Sequence, residues 1–223
     1  KNLVSQFFYN KYDNLEVHTV KIKCEKLKLF YTESVKNHNI KLRMILKNMI
    51  EKYDATLPLE QAVTPPSAWY TNPDIAKLEL DSVFSDSWLV ATRIELLQES
   101  GQYVATTVAG QPIVIVRGDT IKGFYNVCQH HAAQVMETGQ GCARALSCPY
   151  HGWTYKLDGS LAATPQFDGG EDFAKTKHGL KEVRVEVWQQ WVFVCLNDEA
   201  PSLSEYLGGL TGQLDQLNLD KMH

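Results

Sequence analysis

Two short segments of this 223-residue chain each carry one cysteine and one histidine at close spacing. The first is Cys128-x-His130 and the second is Cys148-x2-His151, with residues 131–147 between them. Thiolate sulfur and neutral imidazole nitrogen both bind metals, so the alternating order points to one centre with two donors of each kind. For these donors to meet, two loops must lie side by side on a rigid scaffold. This requirement limits the possible folds more than any other feature of the sequence.

A donor set of two cysteines and two histidines suits two kinds of metal site. A Rieske 2Fe-2S cluster holds one iron by two thiolates and the other by two imidazoles, so each segment supplies one ligand to each iron. Structural zinc also takes two Cys and two His, but its sites usually begin C-x2-4-C and end H-x3-5-H. The spacing therefore favours the cluster, with Cys128, His130, Cys148 and His151 as its ligands. Zinc remains the alternative.

The residues around both pairs resemble the Rieske domain of ring-hydroxylating-type non-heme iron oxygenases. The matching segments are YNVCQHHA at residues 125–132 and CPYHGW at residues 148–153. Cytochrome Rieske proteins of membranes differ, because they carry a further disulfide where this chain has Ala133 and Tyr150. They also have a serine at the position of Trp153, so a hydrogen bond from that hydroxyl to the cluster is missing here. The resemblance thus implies a reduction potential toward the low end of the Rieske range.

Within that family, residues 65–70, 78–84 and 128–161 are similar to plant choline monooxygenases. This similarity implies that the complete enzyme hydroxylates choline to betaine aldehyde hydrate, toward glycine betaine. It further implies O2 and reduced ferredoxin as reaction partners, the chloroplast stroma as location and a homotrimer as assembly. Two alternatives stay open: a component of an aromatic-ring-hydroxylating dioxygenase, and a freestanding Rieske ferredoxin that shuttles electrons.

The resemblance also implies a mononuclear Fe(II) held by two histidines and one carboxylate. Beyond the second pair, this chain has only His178 and His223. Asp220-x2-His223 matches part of such a site but lacks a second histidine nearby, and His178 is expected to be a loop residue. We therefore expect the electron-transfer domain without the catalytic domain, and no activity of this chain alone.

Charge and apolar runs argue against nucleic acid and membranes as partners. The net charge is -4, and the lysines of the basic residues 1–56 are scattered rather than clustered. The longest apolar runs, 112–116 and 191–196, are far shorter than the roughly 20 residues of a membrane-spanning helix. We therefore expect a soluble protein. The cysteines outside the pairs are odd in number, which favours a reducing compartment without a disulfide framework: Cys24, Cys142 and Cys195.

The pattern along the chain predicts a mainly β fold, an antiparallel Rieske domain with flanking helices. We divide it into an atypical basic extension (1–56), a linker and helix (57–87), the Rieske domain (88–200) and a connection to the missing catalytic domain (201–223). Alternating or continuous apolar patterns predict the strands, which are 88–94, 103–108, 113–117, 121–127, 182–188 and 191–196. Asp158-Gly159 predicts a hairpin turn.

Three helices are expected from apolar spacing and capping residues. The first covers the amphipathic residues 40–50, and the third covers residues 201–217. The second begins at Asn72-Pro73-Asp74, because asparagine caps helices and proline is tolerated in their first turn. Its buried face is predicted to include Ala76, Leu80, Val83 and Phe84.

Overall fold

The structure is a computed structural model that describes residues 40–54, 56–167 and 169–214. It divides into two units, residues 1–84 and residues 85–223. The candidate residues Asp220 and His223, like most of the predicted basic extension, lie outside the described residues.

The described part of the first unit is helical. Its elements are α1 (Ile40–Glu51), a 3-10 turn (Leu59–Gln61), α2 (Ala68–Thr71), α3 (Pro73–Glu79) and a π-helical turn (Leu80–Phe84). The predicted helices at 40–50 and after Asn72 are thus confirmed. The Asn72 side chain accepts a hydrogen bond of 2.8 Å from the Asp74 amide, as expected of a capping residue.

The predicted face of this helix is mostly exposed, and of its four residues only Val83 packs, partly buried, against a core. Ile75 and Leu78 are buried instead, in a small core with residues of α1 and α2, whereas Ala76 and Leu80 are exposed. The helix has only seven residues and continues as a π-helical turn, which changes the number of residues per turn. A regular α-helical spacing that is continued across this change therefore predicts the wrong side chains to be buried.

The second unit is built on antiparallel β-sheets, so the predicted mainly β fold is confirmed. A seven-stranded sheet has the order β1-β10-β9-β4-β3-β2-β5, and β6-β7-β8 form a smaller sheet. The strands are β1 (Leu89–Arg93), β2 (Gln102–Val108), β3 (Gln111–Arg117), β4 (Ile121–Tyr125), β5 (Gly139–Cys142), β6 (Leu146–Ser147), β7 (Thr154–Tyr155), β8 (Leu161–Ala163), β9 (Glu182–Trp188) and β10 (Trp191–Cys195).

Strand β3 lies in the interior of the larger sheet, between β4 and β2, and is buried on both faces. Val114 and Val116 pack into one core, while Ile113 and Ile115 pack into another on the opposite face. Two-sided burial explains why this strand is continuously apolar rather than alternating. The core that contains Val114 also contains Cys128 and Cys148 with other residues of the two cysteine loops. One face of the sheet is therefore the scaffold that the metal site requires.

The turn between β7 and β8 forms at the predicted Asp158-Gly159. Gly159 has φ +85, and a Cβ built there would lie 2.3 Å from the Phe124 ring. Only glycine fits both the left-handed backbone and the close approach. The dipeptide is therefore required by packing as well as by the turn.

The predicted helix over residues 201–217 is wrong in its continuity. The structure has two short helices, α4 (Leu203–Leu207) and α5 (Leu210–Leu214), and residues 215–217 lie outside the described residues. Gly208, at φ +51 and ψ -130, ends α4. A capping box at Ser202 and Glu205 starts it. In the described part of the chain, none of the helices has both the length and the apolar content to cross a bilayer.

Candidate metal centre

The first ligand loop, residues 126–136, follows β4 and presents Cys128 and His130. The Cys128 carbonyl accepts a hydrogen bond of 3.0 Å from the Ala132 amide, and the Cys128 amide donates one of 2.8 Å to the Ala133 carbonyl. Ala132 takes a left-handed backbone, with φ +57. These bonds form a tight turn with the cysteine at its start.

The second ligand loop, residues 148–153, connects β6 and β7 and has the same turn. The Cys148 carbonyl accepts from the Gly152 amide at 3.0 Å, and the Cys148 amide donates to the Trp153 carbonyl at 2.9 Å. Gly152 is again left-handed, with φ +71. Both loops thus use one backbone turn, although the proposed histidine ligand is the second residue after Cys128 and the third after Cys148.

The structure brings the four predicted site residues together in these adjacent loops. Both cysteines are buried, each 3% exposed, and they pack in the same core. The rings of His130 and His151 have centroids 4.8 Å apart. Among the described residues every cysteine is a free thiol, which includes the exposed Cys142 and the buried Cys195. Cys24 lies outside the described residues.

One buried atom tests whether these residues fit a metal group. His130 Nδ1 is buried and has no hydrogen-bond partner among the described residues. A buried polar atom left unpaired is costly, so such an atom points to a ligand that satisfies it. An imidazole nitrogen and two buried thiols in adjoining loops are the donors that a Rieske cluster takes. The residues present therefore fit the 2Fe-2S group.

The electrostatics of the two donor types suit metal binding. Burial raises the pKa of the Cys148 thiol, and backbone hydrogen bonds from Tyr150 and His151 oppose that effect. A bound cation offsets the cost of a buried thiolate. Partial burial and the neighbouring His131 and His151 lower the pKa of His130, which favours the neutral form of its ring, the form that binds metal.

Tyr155 is a site residue that the sequence reasoning missed. Its hydroxyl lies 3.3 Å from Cys128 Sγ and accepts a hydrogen bond of 2.9 Å from the Gln129 amide. Burial raises its pKa far above the ordinary value, which favours the protonated hydroxyl, and this hydroxyl can donate a hydrogen bond to the sulfur. The sequence contained one signal for this role. Tyr155 lies two residues after Trp153, and side chains two residues apart in a strand point to the same face of the sheet.

Trp153 forms the inner wall of the site. It is 3% exposed, and its ring is stacked on His130 with centroids 4.6 Å apart and planes 4° apart. Phe167 and Phe173 pack against it at centroid distances of 5.7 and 5.9 Å. Trp153 therefore shields the site from water while packing in the core.

The outer side of the site carries exposed rings. His131 lies 4.0 Å from His130 and 5.4 Å from His151 between ring centroids, and one nitrogen from each of the three lies within 4.8 Å of the others. Tyr150, which is 66% exposed, stacks on His151 at 3.8 Å. The cysteine side is thus buried, and the histidine side faces outward.

His178 lies outside this group of donors, as expected of a loop residue. Its Nδ1 is 2.9 Å from the Ala174 carbonyl, and its ring contacts Phe173 at 4.6 Å. Among the described residues, the three loop histidines form the only group of at least three potential ligand side chains with one donor atom each within 4.8 Å of the others.

The sheet and the paired loops define a Rieske-type iron–sulfur domain. The family model described as the Rieske 2Fe-2S domain matches residues 87–189. The chain therefore carries a Rieske 2Fe-2S domain, and it is similar to monooxygenases that include a quaternary ammonium Rieske monooxygenase. The resemblance inferred from the sequence is confirmed.

Two curated relatives illustrate the similarity. Chloroplastic choline monooxygenase of Arabidopsis thaliana is 34% identical over 188 residues, which cover 78% of this chain and 44% of the relative. The oxygenase subunit of glycine betaine monooxygenase from Chromohalobacter salexigens is 36% identical over 159 residues, covering 70% and 36%. The chain therefore spans less than half the length of these relatives.

Solved structures show the same relationship. A quaternary ammonium Rieske monooxygenase in complex with its substrate L-carnitine superposes with a TM-score of 0.63 at 33% identity, over 68% of this chain and 43% of that chain. Naphthalene 1,2-dioxygenase from Rhodococcus sp. gives 0.68 at 27% identity, over 80% and 40%. The fold is therefore shared by enzymes that differ in substrate class.

Proposed function

We propose that this chain is the electron-transfer part of a Rieske monooxygenase that acts on a quaternary ammonium compound. Cys128 and Cys148 would hold one iron of a 2Fe-2S cluster, and His130 and His151 the other. The observation that carries this proposal is the buried, unpartnered His130 Nδ1 in a loop adjoining that of a second cysteine–histidine pair. When bound, the cluster supplies transfer of one electron at a time.

The protein would control this transfer by enclosing one side of the site and exposing the other. The two cysteines and Trp153 are buried and exclude water from the thiolate side. His151 lies at the surface, so its ring nitrogen away from iron can donate a hydrogen bond to an acceptor on a docking surface. We infer that electrons leave through the histidine edge toward a mononuclear Fe(II) held in a neighbouring subunit of the full-length protein.

Choline is the substrate that we propose. The relatives include a choline and a glycine betaine monooxygenase, and a matched structure holds L-carnitine. The reaction on choline would yield betaine aldehyde hydrate, with O2 and reduced ferredoxin as partners. A homotrimer and a chloroplast stromal location belong to the same proposal, the latter because the plant relative is named chloroplastic.

Metal analysis tests the cluster. Protein purified without oxygen is expected to contain two irons and two acid-labile sulfides per chain, and to give a Rieske-type electron spin resonance spectrum after reduction. A folded protein that binds one zinc and no sulfide would overturn the assignment.

A second experiment tests the substrate. The full-length protein, obtained from the transcript that encodes this chain, is supplied with reduced ferredoxin and O2, and products are measured with choline, carnitine and naphthalene. We expect turnover of choline above that of carnitine. Turnover of naphthalene alone would favour the ring-hydroxylating alternative. A transcript that encodes no further region with two histidines and one carboxylate for the mononuclear iron would favour a freestanding electron carrier.

A further inference from the structure

The base of the first ligand loop is closed by a side chain. Asn126 is 1% exposed and lies two residues before Cys128. Its Oδ1 accepts a hydrogen bond of 2.9 Å from the Met136 amide, and its Nδ2 donates one of 2.8 Å to the Met136 carbonyl. These are the two bonds that a residue on a paired strand exchanges with its partner. The amide therefore substitutes for a strand at this position.

The closure continues from Asn126 toward the cysteine. Val127 and Gln134 form an isolated antiparallel bridge, and the Cys128 amide bonds to the Ala133 carbonyl at 2.8 Å. Each pair lies further inside the loop than the one before it. Asn126 makes the outermost closure, so its bonds determine where the inner ones can form.

Asn126 is also tied to the central sheet. Its backbone amide donates a hydrogen bond of 2.8 Å to the carbonyl of Pro112, in β3. One residue thus joins the start of the loop, its end and the scaffold. A buried amide with both polar groups satisfied adopts one orientation, because losing either bond would leave an unpaired polar atom in the core.

We propose that Asn126 is a positioning residue that holds Cys128 and His130 in register with the second ligand loop. This inference rests on the proposed function, because the register matters for a group held by both loops. The second loop needs no such residue, since β6 and β7 pair at its base through Leu146–Tyr155 and Ser147–Thr154. Metal sites tolerate little displacement of their ligands, so a loosened base should change the site.

The test compares Asn126→Leu and Asn126→Asp with wild type. Leucine removes both bonds at similar size, while aspartate keeps the acceptor for the Met136 amide and loses the donor. We expect Asn126→Leu to lose iron to a chelator about tenfold faster than wild type. This is the lower end of the effect on metal affinity that follows removal of a residue that holds a metal ligand in place. The reduced-state resonance should broaden or shift, and Asn126→Asp should show an intermediate effect.

Two control variants separate positioning from general destabilisation. Gln134→Ala removes a 2.9 Å bond to the same Met136 carbonyl from an exposed side chain and leaves the Asn126 bonds in place. Asn197→Leu removes another asparagine that makes two hydrogen bonds, to Asp86 and Glu199. Both are expected to keep the wild-type resonance and rate of iron loss.

The outcomes distinguish the two proposals. If wild type shows the cluster and folded Asn126→Asp has an unchanged resonance and rate of iron loss, Asn126 has no positioning role and the proposed function stands. Equal changes in Asn197→Leu would likewise overturn the inference. If wild type itself binds no iron and sulfide, the proposed function fails first.

Discussion

The two ligand loops share a backbone turn but differ in how they are supported. In both, the cysteine carbonyl and amide bond to the fourth and fifth residues after it, and the fourth residue is left-handed. The second loop rests on paired strands, whereas the first is closed by the Asn126 side chain and one bridge. The comparison teaches that the local turn places the donors, while more distant contacts hold the two turns in register.

The shared turn also shows why spacing alone is ambiguous. By position after the cysteine, His131 corresponds to His151, and Tyr150 corresponds to His130. The turn therefore does not decide which histidine of the first loop binds iron. Burial favours His130 as the proposed ligand, because His130 Nδ1 is enclosed and unpartnered while His131 is exposed.

The largest expected effect is loss of the cluster when either ligand cysteine is replaced, which tests whether cluster assembly needs both loops. Cys128→Ser and Cys148→Ser should each abolish cluster assembly, since thiolate ligation is required to hold iron and sulfide. Visible absorption together with iron and sulfide content measures this. Cys142→Ser, which alters an exposed thiol on β5, is expected to retain the full complement. An unchanged visible spectrum in Cys148→Ser would contradict the ligand assignment.

The next prediction separates the adjacent histidines of the first loop. His130→Ala should lose the cluster, because it removes the buried nitrogen that has no protein partner. His131→Ala should keep the cluster with a Rieske-type resonance, since its ring is exposed. Electron spin resonance of both reduced variants provides the measurement. If His131→Ala lost the cluster and His130→Ala kept it, the histidine ligand would be the third residue after the cysteine in both loops.

A smaller effect is expected when the Tyr155 hydroxyl is removed, because its hydrogen bonds are to residues of the first ligand loop. Tyr155→Phe removes the contact to Cys128 Sγ and the acceptor for the Gln129 amide. A hydrogen bond to a ligand sulfur stabilises the more negative reduced state, so its loss lowers the reduction potential. A bond to a charged group is worth about 1.5 kcal/mol, which corresponds to about 60 mV for one electron.

Spectroelectrochemical titration of the cluster measures that shift. Tyr103→Phe is the matched control, because Tyr103 packs at the edge of the same core and bonds to neither ligand loop in the structure. It should leave the potential unchanged. Equal potentials for Tyr155→Phe and wild type would show that the hydroxyl does not act on the sulfur.

The smallest effects concern the left-handed residue of each turn. Gly152→Ala should lower the free energy of unfolding by about 1 kcal/mol, the order of the left-handed penalty for a residue with a Cβ. Space is not limiting there, as a Cβ would lie 3.4 Å from Pro165. Ala132→Gly should raise the same quantity by less than about 1 kcal/mol, because glycine also gains entropy in the unfolded chain.

Denaturant unfolding at fixed cluster content measures both changes. Ala109→Gly, at φ +46 in the turn between β2 and β3, is the control outside the site. It is expected to match the sign of Ala132→Gly. Opposite signs would indicate that the Ala132 side chain contributes contacts that the shared turn does not explain.

Much of the fold was predictable because strand patterns are local. Residues 182–188 form β9 over the same residues as predicted, and the predicted strand at 113–117 forms as part of β3. The helix over 201–217 was not predictable in the same way, since Gly208 breaks it after one short segment. The short strands β5 and β6 were also missed, because exposed glycines and two-residue strands carry no apolar pattern.

The sequence by itself predicted the donor set, and it was sufficient for the resemblance to Rieske proteins and for the β architecture. Those properties depend on residue type and on short spacing, which the backbone translates directly into turns and strands. Only the tertiary structure showed that Tyr155 reaches Cys128, that Asn126 closes the first loop, and that His130 rather than His131 has a buried free nitrogen. Such contacts join residues whose proximity is set by packing on the sheet, and local pattern carries no record of that packing.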